Sequence, residues 1–228
     1  MITTSSLPVV TPPIGEKRVT FHHLNWHAYQ QILQAVGESR SARLTYDRGI
    51  LEITMPLEEQ EFAARLIELL VRILVVELGL KIKTMGSTTL IREDLDRSPE
   101  PDNAYYIQNQ PLVAGKQVTL ATDPPPDLVV EIDTIAVLML VKCIRVGAIR
   151  QFALRSVLYA SMGVPEFWRF NGQVWRIYQL HAGQYQEVDA SPTFPFVPKQ
   201  RFYDFLQQAQ QDEVDAEQRF RAWVRQQL

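Results

Sequence analysis

Cysteine is nearly absent: the 228 residues include one, Cys143, so no internal disulfide framework exists. Its neighbours Leu140, Val141, Lys142 and Ile144 include no histidine, which favours a bland buried thiol over a nucleophile. Long apolar runs are missing too. The longest, Ile135 to Val141, has seven residues, far short of the roughly 20 a membrane span needs. There is no Gly-rich phosphate loop and no internal repeat. Residues Met1 to Gly15 are rich in Thr, Ser and Pro, and they lack the basic start and apolar centre of a signal peptide. Lysine is scarce, with six against seventeen arginines, which favours fixed, bidentate anion contacts over solvated point charges. The formal net charge of −3 gives no polyanion-coating character, although net charge hides local distribution. The expectation is a soluble, cytoplasmic protein without membrane association.

What is present suffices for one domain of ordinary size. Apolar residues make up 46% of the chain and charged residues 21%, so a core can form without staples. The prolines at 8, 12 and 13 make 1–18 a flexible leader. A domain over 19–200 and an amphipathic C-terminal helix over 201–228 follow. Trp26, Tyr29, Ile32, Leu33 and Val36 recur at helical spacing before the stop residue Gly37. Ala42 to Tyr46 and Ile50 to Met55 alternate around Asp47-Arg48-Gly49, which is a β-hairpin pattern. Leu57 to Leu78 reads as a long helix with a stripe of Phe62, Leu66, Leu69, Leu70, Ile73 and Leu74.

Strands are expected at Lys81–Leu90, Ala104–Ile107 and Asp127–Asp133, with an edge strand at Gln117–Leu120 and a charged turn at Asp94–Pro101. Ile135 to Ile149 is apolar and of unsettled type. Gln151 to Met162 reads as a helix stopped by Gly163 and Pro165. Glu166–Phe170 and Gln173–Leu180 form a hairpin whose Asn171-Gly172 suits a type I′ turn. This order implies an α/β domain, bordering on α+β, with a central mixed sheet flanked by helices.

Chemistry is suggested by a carboxylate in an apolar strand. In Asp127-Leu128-Val129-Val130-Glu131-Ile132-Asp133, Leu128, Val130 and Ile132 share one face, and Val129, Glu131 and Asp133 the other. A buried Glu131 needs a basic partner, a hydrogen-bond network or a cation; the bland alternative is a position at the strand's exposed end. Glu100-Pro101-Asp102 precedes the Tyr-rich strand, where Pro101 favours extended geometry before it and aims Asp102 at the strand's start. Two carboxylates from neighbouring strands make a hard-oxygen site suited to Mg²⁺. Glu59, in the first turn of the long helix, either favours the helix dipole or completes that site. His22, His23 and His27 lack metal-ligand spacing and read as surface or half-buried residues. Trp168, Trp175 and Tyr178 beside Arg169 and Arg176 could stack on bases, but on an alternating hairpin they read more readily as core and rim.

Helix acid, Pro-Asp at a strand entry, then a strand Glu about thirty residues on: this order resembles the PD-(D/E)XK nuclease core. Gly86-Ser87-Thr88-Thr89, Arg92-Glu93-Asp94-Leu95, Glu100-Pro101-Asp102-Asn103-Ala104-Tyr105-Tyr106-Ile107, Pro126 through Asp133, and Tyr159-Ala160-Ser161-Met162-Gly163-Val164-Pro165-Glu166-Phe167-Trp168 narrow this. Together they resemble the Uma2 family of restriction-endonuclease-like proteins, over roughly residues 20–190. The resemblance implies a restriction-endonuclease-like core and a Mg²⁺-dependent endonuclease acting on DNA, with Mn²⁺ as the alternative ion. By position, Asp102 and Glu131 correspond to the metal-binding acids and Glu59 to the helix acid of a Glu-Gln element. A homodimer would suit double-strand cleavage.

The basic residue departs from the pattern. The signature lysine two positions after Glu131 is Asp133 here, and the position four before Tyr159, where relatives carry lysine, is Arg155. Arginine keeps the charge but cannot share protons. The apolar stretch Ile135 to Arg150 also replaces a short polar connection. The expectation is metal binding with weak or absent cleavage; the alternative is an inactive nuclease-fold module that binds nucleic acid or protein.

Overall fold

A computed structural model describes residues 17–37, 40–133 and 155–228. Residues 1–16 of the expected leader, Cys143, and the stretch Ile135 to Ile149 lie outside the described residues. The chain builds two sheets. The first is antiparallel, in the order β1-β3-β2-β5, from β1 (Lys17–Phe21), β2 (Arg43–Asp47), β3 (Ile50–Met55) and β5 (Arg97–Ser98). The β2–β3 hairpin closes through Arg48 and Gly49, both at positive φ (43° and 89°), the requirement of a type I′ turn. Helix α1 (Trp26–Val36), capped by the Asn25 side chain on the Ala28 N–H, packs Tyr29 against Tyr46 of this sheet, ring centroids 4.7 Å apart.

The second sheet has six strands, ordered β10-β9-β8-β7-β6-β4: β4 (Lys83–Thr84), β6 (Asn103–Tyr106), β7 (Leu128–Ile132), β8 (Glu166–Phe170), β9 (Trp175–His181) and β10 (Gln184–Val188). The pair β7–β8 is parallel and the other pairs are antiparallel, so this is a mixed sheet. A parallel pair requires a crossover, and α4 (155–162) lies within it. The alternation in β7 decides what each face meets. Leu128, Val130 and Ile132 pack under α2 (Glu58–Glu77), α5 (Lys199–Ala209) and α6 (Glu213–Arg225). Val129 packs with Tyr159 and Met162 of α4 on the opposite face. The expected α/β arrangement, a mixed sheet flanked by helices, is what forms.

Several local expectations are corrected. The C-terminal segment is two helices: Asp212 leaves the helical path and its carboxylate accepts from the Val214 and Asp215 N–H groups, starting α6 anew. Of Lys81–Leu90 only Lys83–Thr84 pairs as a strand, and Gln117–Leu120 forms none. The stretch Gln110–Val113 is a short helix, α3. The turn Asp94–Pro101 contains a 3₁₀ turn, Glu93–Leu95, and strand β5. Lys17 and Arg18, read as leader, belong to β1. The loop after β8 runs from 171 to 174, where the Asn171 N–H donates to the Val174 carbonyl at 3.3 Å and Asn171 Oδ1 accepts from Gln173 and Val174; Asn171 is not at positive φ, so the expected type I′ turn at Asn171-Gly172 does not form. Such a turn does form at Ala182-Gly183, ahead of the unforeseen β10. Phe62 is 40% exposed rather than buried in the α2 stripe. Trp168 and Trp175 are core residues, and His22, His23 and His27 are exposed.

Two polar anchors fix the periphery. Glu77 at the end of α2 pairs with Arg221 and Arg225 of α6. Glu166, buried in β8, accepts from the Trp168 indole, the Ser191 hydroxyl, and the N–H and hydroxyl of Thr193. Burial pushes its carboxyl above the usual range, and these donors pull it back. Among the described residues no helix is long and apolar enough to cross a membrane. Phe220 is 5% exposed and packs on Phe205, centroids 5.3 Å apart. Phe220→Ala is expected to lower the unfolding free energy by about 3–4 kcal/mol, measured by urea denaturation.

Candidate active site

The carboxyl end of β7 meets the first sheet at a small cleft. Register places the acids: Asn103 pairs with Val130 in the antiparallel β6–β7 ladder, which brings Asp102 to the level of Glu131. Asn103 donates to the Ala64 carbonyl of α2 at 2.9 Å. Side chains alternate across the sheet, so the neighbouring Asp102 turns to the other face. Its Oδ2 accepts from the Ile132 N–H and its Oδ1 pairs with Arg43 of β2. The resulting cavity of ≈20 Å³ is lined by Arg43, Gln60, Glu100, Asp102, Glu131 and Arg155, among others.

Arg155 is the cation that meets Glu131. From α4 its Nη1 donates to Glu131 Oε1 at 2.8 Å and to the Glu100 carbonyl at 3.3 Å. Its Nη2 lies 3.5 Å from Glu52 Oε1 on β3, and Glu52 is held in turn by Arg18 of β1 at 3.3 Å. The Tyr159 hydroxyl, one helical turn along from Arg155, donates to the same Glu131 oxygen. Glu131 and Arg155 are 8% and 7% exposed. Burial therefore drives the Glu131 carboxyl above the usual range, against the pull of Arg155 and Tyr159. Beside these acids the Arg155 guanidinium is held above its ordinary value in spite of its burial. It is a permanent cation. The Tyr159 phenol is also pushed up, by burial first and by Glu131 next.

Asp102, Glu131 and Arg155 are thus brought to one cleft, and Glu59 is not. Glu59 is exposed in the first turn of α2 and lines no part of the cavity. The helix turns 100° per residue, so its neighbour Gln60 points inward instead. Gln60 accepts from the Leu57 N–H through Oε1 (2.8 Å), and its Nε2 donates to the Ile132 carbonyl at 3.1 Å. Sequence reasoning missed Arg43, Glu52, Gln60 and Tyr159 as members of the cleft. Signals existed for two: Gln60 is the second residue of the Glu-Gln element, and Tyr159 stands one helical turn after Arg155. The Glu100 carboxylate is occupied, accepting from Arg40, the Thr89 hydroxyl and the Leu44 N–H.

The donors suit a hard divalent cation. Among the described residues no three His, Cys, Asp or Glu side chains assemble into a metal cluster. Mg²⁺, however, takes one or two carboxylates and fills its remaining positions with water and substrate oxygen. Asp102 and Glu131 supply two such carboxylates on a cavity with room for about one water-sized group.

Residues 26–134 match the family model of Uma2, described as "Putative restriction endonuclease". Over these residues, just under half of the chain, the sequence is similar to the Uma2 family. The matched span includes Arg43, Gln60, Asp102 and Glu131, whereas Arg155 and Tyr159 lie beyond it. A crystal structure described as "a putative nuclease belonging to DUF820", from Anabaena variabilis, is 16% identical. It aligns over 71% of this chain and 88% of its own length with a TM-score of 0.47. No curated protein matches the chain.

Removing Arg155 strands a buried carboxylate. Arg155→Met is expected to destabilise the fold by about 3–5 kcal/mol at neutral pH. Glu131 then titrates higher still, so the variant's deficit grows as pH rises past the raised value Glu131 has in the wild-type protein towards the higher one it has in the variant. Denaturant titrations at pH 4 and pH 8 check this: equal deficits at both would disprove it. Adding Glu131→Gln should recover most of the loss at pH 8.

Proposed function

We propose that the cleft is the phosphodiester-hydrolysing site of a Mg²⁺-dependent DNA endonuclease, with Asp102 and Glu131 as the metal-holding acids. Mn²⁺ serves as an alternative ion. One observation carries the reading: two carboxylates distant in sequence meet at one cavity, Glu131 paired with Arg155 and Asp102 with Arg43. A cation bound there would polarise the scissile phosphodiester and offset its charge. The protein's own groups supply the rest. Tyr159 and Arg155 together fix the Glu131 carboxylate, and the Ile132 N–H fixes Asp102. Gln60 ties the Ile132 carbonyl to α2, so the end of β7 cannot fray away from the acids.

Arg155 adds positive charge where negative charge develops. It is a poor proton carrier, and its three acceptors leave it little freedom to move. Positioned acid–base assistance is typically worth ~10²–10⁴ in rate, so turnover is slow relative to a lysine-bearing site. DNA as substrate is supported by the restriction-endonuclease description of the matched family.

The test is nicking of supercoiled plasmid in Mg²⁺ and in Mn²⁺. Wild type should nick slowly. Asp102→Asn and Glu131→Gln should each lower the rate at least about 100-fold, the scale of a lost charge-stabilising group. Arg155→Lys should raise it. Absence of nicking by both wild type and Arg155→Lys, or nicking indifferent to Glu131→Gln, overturns the proposal.

A further inference from the structure

Beside the carboxylate cleft lies a broad groove of ≈1900 Å³ between α1 and the segments around Met85–Asp94 and Gln117–Ala121. Cleft and groove share three lining residues, Arg43, Pro56 and Glu100. Arg43 is the cation at this junction. Its Nη1 pairs with Asp102 and its Nη2 with Glu61 of α2. These two acids differ in one respect: the Asp102 side chain is 3% exposed and that of Glu61 is 43% exposed. The guanidinium therefore bridges a buried carboxylate and a solvent-facing one.

This arrangement conflicts with the resting use of Asp102 as a metal ligand. A carboxylate oxygen in contact with a guanidinium cannot also bind a cation without placing two positive centres side by side. Arginine resolves the conflict where lysine could not, because its two Nη groups can hold separate partners. One end can leave Asp102 while the other stays on Glu61. Glu100 is the less open host for the released end, since its oxygens already accept from Arg40, Thr89 and the Leu44 N–H.

We propose that Arg43 is a positioning residue that guards Asp102, yields it to the divalent cation by retreating onto Glu61, and then presents its freed Nη1 to a phosphate arriving from the groove. This rests on Asp102 as a metal ligand in the proposed function. The resting contact keeps the buried acid neutralised, and the exchange couples uptake of the cation to the appearance of a phosphate donor.

Calorimetric titration with Mn²⁺, without nucleic acid, separates this from a purely structural role. Arg43→Gln should bind Mn²⁺ about tenfold tighter than wild type, because the competing cation is gone. The same variant should bind a phosphorothioate duplex in Mn²⁺ about tenfold more weakly, through loss of one charge-assisted contact. Glu61→Gln removes the retreat position and should weaken Mn²⁺ binding about threefold. Glu58→Gln, the same charge change in the same helical turn, should leave it unchanged. Circular dichroism verifies folding, and if Arg43→Gln fails to fold, the Glu61 and Glu58 variants decide. Arg43→Gln binding Mn²⁺ no tighter than wild type, or Glu61→Gln matching Glu58→Gln, overturns the guarding role while leaving Asp102 as a ligand. Absence of Mn²⁺ binding in wild type and every variant overturns both.

Discussion

The Arg155 guanidinium is the group on which the cleft depends. It comes from α4, touches Glu131 in the second sheet, and reaches Glu52 in the first. Without it two acids from different sheets would face one another across a dry interface, and like charges at that range repel strongly in a low dielectric. With it the two sheets share a hydrogen-bonded polar contact. Removing one partner of such a contact costs far more than the intact pair contributes, which is why stability and chemistry are hard to separate here.

A second constraint is the economy of the cleft's polar atoms. The Ile132 N–H serves Asp102, the Ile132 carbonyl serves Gln60, and the Leu57 N–H closes back onto Gln60. The strand end, the loop before β6 and the first turn of α2 are thus cross-linked by main-chain groups. Substitution of the other side chains leaves these links to the main chain in place, provided Gln60 and Asp102 are kept. This is a rigid base for a functional site.

How much of this was legible in the sequence follows from the range of the interactions. The alternation of Leu128, Val130 and Ile132 against Val129 and Glu131 is local, and it placed Glu131 on the correct face. The β2–β3 hairpin and the end of α1 at Gly37 were equally local, because glycine at positive φ marks them. The partners were not legible. Arg43 meets Asp102 and Glu52 meets Arg155 only after the two sheets come together, and no spacing in the chain encodes that. Strand β1 was hidden because it is short and its two apolar residues, Val19 and Phe21, stay exposed and add nothing to a core. The break between α5 and α6 was hidden because the apolar residues resume after Asp212 as though the helix continued. Glu59 was chosen over Gln60 because charge, not the direction of the helical turn, guided the choice.

The period-two placement of Glu131 has a consequence for how this chain can vary. Strand β7 has apolar groups under α2, α5 and α6 on one face, and on the other Val129 against α4 with Glu131 at the cleft. A single-residue insertion or deletion inside Leu128–Ile132 would exchange the two faces at once. It would drive the carboxylate into the helix-packed core and present Val130 or Ile132 to Arg155. Point substitutions in this strand sample graded losses, whereas length changes are all-or-none. The surviving descendants of such a sequence should differ in β7 by exchange of residues and never by their number.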